Sequence, residues 1–190
     1  IEDVYGATIE AEVKFPFYFI HNTPVNRNFL SCSLFGLHTV DTGSSQSLLG
    51  TTTTTLSSND YANFQVYAVR DSLKSKNVYF KLSSANSPYP IPDITSSIFF
   101  NVYNNNIWNL SVRLKPSNWP MAGLVSGSNT YTYDVIFRGT NHILGHKHNS
   151  FEVSSSITFG AGSKFLRSPK RIYAGTRREN LTGTVLQPSD

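Results

Sequence analysis

The chain holds one cysteine and one methionine in 190 residues, and only 15% of its residues are charged. With Cys32 alone, an intrachain disulfide is excluded, as is a zinc site built from several thiolates. Cys32 stands among apolar neighbours in FLSCSLFG, which suits a small buried hydrophobe better than a reactive thiol. Long apolar runs are also missing. None approaches the ~20 residues that cross a bilayer as a helix, so no membrane insertion is expected, and no secretory signal is visible. Acids number twelve. Their sole alternating pair, Glu10 and Glu12 in TIEAEVKF, lacks a third carboxylate and is followed on the same face by Lys14. A solvated strand face fits that pair better than the acid and nucleophile of a glycosidase. Neither a Gly-x-Ser-x-Gly elbow nor a phosphate-cradling glycine loop occurs. These absences argue for a protein that is not an enzyme.

What the chain does have is aromatic, β-branched and small polar residues. Aromatics reach 13%, with 25 Ser, 17 Thr and 17 Asn. Such a composition favours sheet and supplies enough apolar surface to offset the entropy of ordering. Period-two alternation recurs from end to end. ATIEAEVKF sets Ala7, Ile9, Ala11, Val13 and Phe15 on one face, with Thr8, Glu10, Glu12 and Lys14 on the other. IWNLSVRLKP sets Trp108, Leu110, Val112 and Leu114 inward, until Pro116 removes a ladder donor. Weaker alternation marks 30–36, 61–70, 77–84, 97–103, 131–139, 150–159 and 171–176. In the last of these, Ile172 and Ala174 are expected to point inward. Strands without intervening helical periods indicate an all-β sandwich or barrel in one domain spanning 1–190. The stretches 22–28 and 41–60 read as loops, 83–93 as an extended crossing between sheets, and GSKFLRS (162–168) as a helical turn.

The order of these patterns carries a resemblance. An amphipathic first strand leads to a strand closing in SLFG, then the Trp-led IWNLSVRLKP, then YTYDVIFRGTN and RIYAGTRRENLTGTV. This is similar to the laminin-G-like branch of the concanavalin A-like lectin/glucanase superfamily. The resemblance implies a two-sheet antiparallel jelly-roll sandwich with a strand or two after the RIYAG element. Because the sequence starts at Ile1 and stops at Asp190, it is read as a segment of a longer polypeptide lacking its last strands. Another chain or another domain would then complete the sheet. The long IFRGTN…RIYAGTRRENLTG pattern also resembles modules of large virion proteins of phages and other viruses. On that basis, localisation is in a virion or at an extracellular surface.

Candidate sites are few. The leading expectation is a structural or interaction module of a viral particle or similar assembly, with protein partners. The alternative is a carbohydrate-binding adhesion module whose Tyr103, Asn104, Asn105, Asn106 and Trp119 stack on and hydrogen-bond a glycan. Lys164, Arg167, Lys170, Arg171, Arg177 and Arg178 form a basic stretch with no intervening acid. Alternation splits it between two faces, which favours a solvated edge or protein interface over nucleic acid. His142, His146 and His148 would converge if the chain turns at Gly145, but no Cys or acid joins them, and an exposed loop is the simpler expectation. No metal or other cofactor is expected. Calcium at Asp41, Asp60, Asp93 or Asp134 is the weaker alternative, because no tight Asp-x-Asp grouping exists. The two sequons, at Asn109 and Asn180, carry no information, since this composition yields about four by chance.

Overall fold

A computed structural model describes residues 6–16, 30–39, 61–73, 75–84, 90–117, 132–158, 166, 170–178 and 185–186. The strands are β1 (Ala7–Lys14), β2 (Ser31–Thr39), β3 (Asn63–Arg70), β4 (Val78–Ser83), β5 (Ile94–Thr95) and β6 (Ile107–Pro116). They continue with β7 (Tyr133–Ile143), β8 (His146–Ile157), β9 (Lys170–Ala174), β10 (Arg177–Arg178) and β11 (Val185–Leu186). They form an all-β, two-sheet antiparallel sandwich compatible with a jelly roll. One sheet has the order β1-β6-β7-β8 and the other β5-β4-β3-β2-β9, while β10 and β11 make a short separate pair.

Alternation explains the core. Trp108, Leu110, Val112 and Leu114 of β6 are all buried. In β1, Ala7, Ile9, Ala11 and Val13 pack against the core while Thr8, Glu10, Glu12 and Lys14 are exposed. Side chains from the two sheets meet directly. The Phe80 ring of β4 lies 4.8 Å from Trp108 of β6 and 5.6 Å from Phe151 of β8. Phe99 sits 4.8 Å from Trp108, and Phe15 packs edge-on to Phe80 and Tyr103. This aromatic contact between sheets supplies the apolar burial that holds the sandwich together.

Four expectations change. Residues 97–103 do not form a strand. Only Phe99 bridges, to Val78, and the chain then turns with Asn101 at φ 54. The strands on either side of 83–93 belong to one sheet, since β4 and β5 pair at Lys81↔Thr95 and Leu82↔Ile94, and residues 85–89 lie outside the described residues. The histidine segment is not an open loop either. β7 and β8 run to within two residues of each other, joined through Leu144 (φ 51) and Gly145 (φ 81). Two successive positive φ values define the type I′ turn that matches strand twist.

The fourth change concerns β9. Ile172 stands opposite Leu37, which stands opposite the buried Phe64, so all three share the core-side face. Cover over that face fades across the sheet. Phe64 is 2% exposed, Leu37 is half-buried and Ile172 is 67% exposed. Ala174 is exposed as well, and the half-buried residue of the pair is Tyr173 on the opposite face. Direction along the strand follows the alternation, but burial depends on what lies above, and along the core side of β9 it falls from the half-buried Lys170 to the exposed Ile172 and Ala174. Of 162–168 only Leu166 is described, with helical backbone and a buried side chain.

Candidate functional site

Alternation also sends a second set of residues to the outer face of the β5-β4-β3-β2-β9 sheet. Gly36 stands opposite both Gln65 and Tyr173, and His38 opposite both Asn63 and Arg171. His38 Nδ1 is hydrogen-bonded to the Tyr61 hydroxyl and His38 Nε2 to Gln65 Oε1, each at 2.9 Å. Gln65 Oε1 only accepts, so Nε2 carries the proton, and in the neutral ring Nδ1 accepts from Tyr61. The Tyr173 ring meets the imidazole edge-on at 5.3 Å. Tyr61, Asn63, Gln65 and His38 are all 2% exposed. Gly36 permits this crowding, because a Cβ there would overlap the Gln65 carboxamide and the Phe64 carbonyl. Both ring nitrogens are engaged, by Tyr61 and by Gln65, and the row ties β2 to β3.

The outer face of the other sheet is different. Cross-strand registry aligns Glu10, Ser111, Arg138 and Glu152 in one row and Glu12, Asn109, Thr140 and Ser150 in the next. A shallow concavity of about 480 Å³ opens over β1, β6 and β7, lined by Glu10, Glu12, Asn109, Ser111, Arg138 and Thr140 among others. Arg138 Nε bonds Glu152 Oε2 at 2.6 Å, with both side chains about half exposed. This surface presents carboxylates, hydroxyls, an amide and a guanidinium to water. Such a lining suits hydrogen bonding to a polar ligand; it does not exclude water from a reacting bond.

The residues expected to hold a glycan are not arranged for it. Tyr103 is 7% exposed, its ring edge-on to Phe15 at 5.3 Å, with the Arg70 guanidinium 4.8 Å from its centroid. Its faces are thus taken by the protein itself. Asn104, Asn105 and Asn106 build the turn into β6. Asn105 has φ 68 and donates its N–H to the Phe15 carbonyl, and Asn104 Oδ1 accepts from the Asn106 N–H. Trp119 lies outside the described residues.

Of the basic stretch, the structure describes the side chains of Lys170, Arg171 and Arg177. Lys164 and Arg167 lie outside the described residues, and Arg178 pairs with Val185 in the short β10–β11 ladder. Lys170 stands opposite the buried Thr39 on the core side, and burial pulls its amine down to about 7. Arg171 is exposed, and the exposed Arg177 donates to the Tyr67 hydroxyl at 3.4 Å. Among the described side chains of this stretch, the exposed cations are Arg171 and Arg177.

For calcium, Asp41 and Asp60 lie outside the described residues. Asp93 takes a 2.6 Å ion pair from Lys81 and a 2.6 Å bond from the Ser83 hydroxyl. Partial burial would raise its carboxyl, but these donors hold it below the usual range. Asp134, on the other sheet, accepts from Ser117 and Ser156. His142 faces Lys147 and His146 faces Ile143 across the hairpin, so the three histidines do not gather. Among the described residues no three His, Cys, Asp or Glu side chains are grouped to hold a metal. Cys32 is half-buried; burial pushes its thiol up against a weaker opposing pull from Arg70.

Sequence reasoning missed the His38–Gln65–Tyr61 row. Its signal was the run LFGLHT, where Gly and His occupy the polar positions of a strand whose solvent side is otherwise meant for Ser, Thr or charge. Comparison with protein-family models, curated proteins and solved structures finds no significant match. The fold and its surfaces therefore carry the functional argument alone.

Proposed function

We propose that this domain is a non-enzymatic interaction module of a large assembly, with a viral particle as the context that the IFRGTN…RIYAGTRRENLTG pattern suggests. The observation that carries the reading is Ile172, 67% exposed on a face where Leu37 beside it is half-buried and Phe64 beyond is buried. An aliphatic side chain on an outlying strand, with Ala174 exposed beside it, is a surface prepared for cover by another polypeptide. Analytical ultracentrifugation over a concentration series, run beside a glycan array, tests this. Association without sugar-specific binding is the expected result. A strictly monomeric chain with saturable, sugar-specific binding overturns it.

That second outcome is the signature of the alternative reading, a carbohydrate-binding module at an extracellular surface. The polar concavity of β1, β6 and β7 favours it, because hydroxyl, amide and carboxylate groups converge there. Among the described residues of that lining none is aromatic, which weakens it, since sugar binding commonly uses a stacking ring.

A further inference from the structure

Two edge strands of this molecule carry complementary patterns. β9 is the outer strand of the five-stranded sheet and pairs, among the described residues, with β2 alone. β1 is the outer strand of the four-stranded sheet and pairs, among the described residues, with β6 alone. On its solvent side β9 presents the exposed Arg171, and on its core side the exposed Ile172 and Ala174. On its solvent side β1 presents the exposed Glu10 and Glu12, and on its core side the half-buried Ile9 and Ala11.

We propose that β9 of one copy adds to β1 of a second copy as an antiparallel strand, joining the domains head to tail. The inference rests on the interaction reading above and names the partner. With Ile172 opposite Ala11, antiparallel registry sets Arg171 opposite Glu12 and Ala174 opposite Ile9. Charge then meets opposite charge at Arg171 and Glu12 on the solvent side, and aliphatic meets aliphatic at two core-side pairs, while the aliphatic stem of Lys170 falls opposite Val13. The core-side faces of two sheets become continuous, and Ile172 and Ala174 gain aliphatic cross-strand neighbours that a single copy does not supply. Because the two strands are different surfaces, the contact is heterologous, and it closes into a ring or continues as a filament. A glycan or an unrelated acidic partner would not require the β1 half of this match.

The test is charge exchange with the full chain. Arg171→Glu and Glu12→Lys change exposed side chains, and circular dichroism melting confirms that each variant folds. Ultracentrifugation is expected to show wild-type association that weakens with added salt. Each single variant alone is expected to need about tenfold more protein to associate. An equimolar mixture of the two variants, and the double variant R171E/E12K, are expected to regain association near the wild-type concentration. Wild type that associates while neither single variant differs from it overturns the β1–β9 pairing and leaves the interaction reading standing. Single variants that weaken without rescue in the mixture also overturn the pairing. A monomeric wild type with sugar-specific binding overturns both.

Discussion

The His38 Nε2–Gln65 Oε1 hydrogen bond, 2.9 Å long, ties two 2%-exposed side chains across β2 and β3 beside a glycine whose Cβ would strike the carboxamide. Gly36→Ala therefore forces Gln65 away from His38. The cost is expected to be about 1–3 kcal/mol of unfolding free energy, as for other overpacked interiors. Gly145→Ala is the comparison. It has positive φ but no atom within 4 Å of its would-be Cβ. Its cost is backbone strain alone, roughly 1 kcal/mol. Urea denaturation of both variants measures the difference.

The hairpin tip offers a gain in stability. Leu144 is 95% exposed and sits at φ 51, where Asn or Gly is at ease. Leu144→Asn removes strain while giving up almost no burial. The melting temperature should rise, with up to about 1 kcal/mol of added stability. A fall in stability would show that the leucine is covered in solution.

Lys170 sets a pH dependence. Its amine, held down to about 7 by burial from an ordinary 10.5, binds fewer protons in the folded chain than in the unfolded one. Stability from this group is therefore complete above the unfolded value and is lost as pH falls through the window down to about 7. Lys170→Met keeps the aliphatic stem and removes the titration. Unfolding free energies compared across that window are expected to rise with pH less steeply in the variant than in the wild type.

Two replacements on β6 and β7 separate core from surface. Trp108→Ala empties a 1%-exposed site shared by both sheets, and should cost about 3–5 kcal/mol. Arg138→Ala breaks the half-exposed pair with Glu152, and should change stability by less than about 1 kcal/mol. Differential scanning calorimetry distinguishes the two.

The sequence made the strands legible wherever one face met the core and the other met water. β1 and β6 follow their written alternation residue by residue, because each has one clearly apolar side. Legibility failed where burial came from elsewhere in the chain. β9 carries the alternation of an inward strand, yet Ile172 is exposed because cover is a property of the opposite layer. The reverse holds for β3, where Asn63 and Gln65 are buried on the side that polarity would assign to solvent. Tyr103 looked like a binding platform from its Asn-rich neighbours. Those asparagines proved to be turn formers, and the Tyr103 ring packs in the core against Phe15.

The pairing of β1 with β6 joins Ala7 to Leu114, and that of β2 with β9 joins Thr39 to Lys170. Contacts so distant along the chain make loop closure the slow event, which places folding in the millisecond-to-second range of β-sandwiches. During synthesis at roughly 5–20 residues per second, the first strand waits several seconds for its ladder partner to emerge. Throughout that interval its alternating Ala, Ile and Val side has no sheet to join. The nascent chain is thus exposed to mispairing at β1 until β6 emerges, and the glutamates at positions 10 and 12 supply the charge that discourages it.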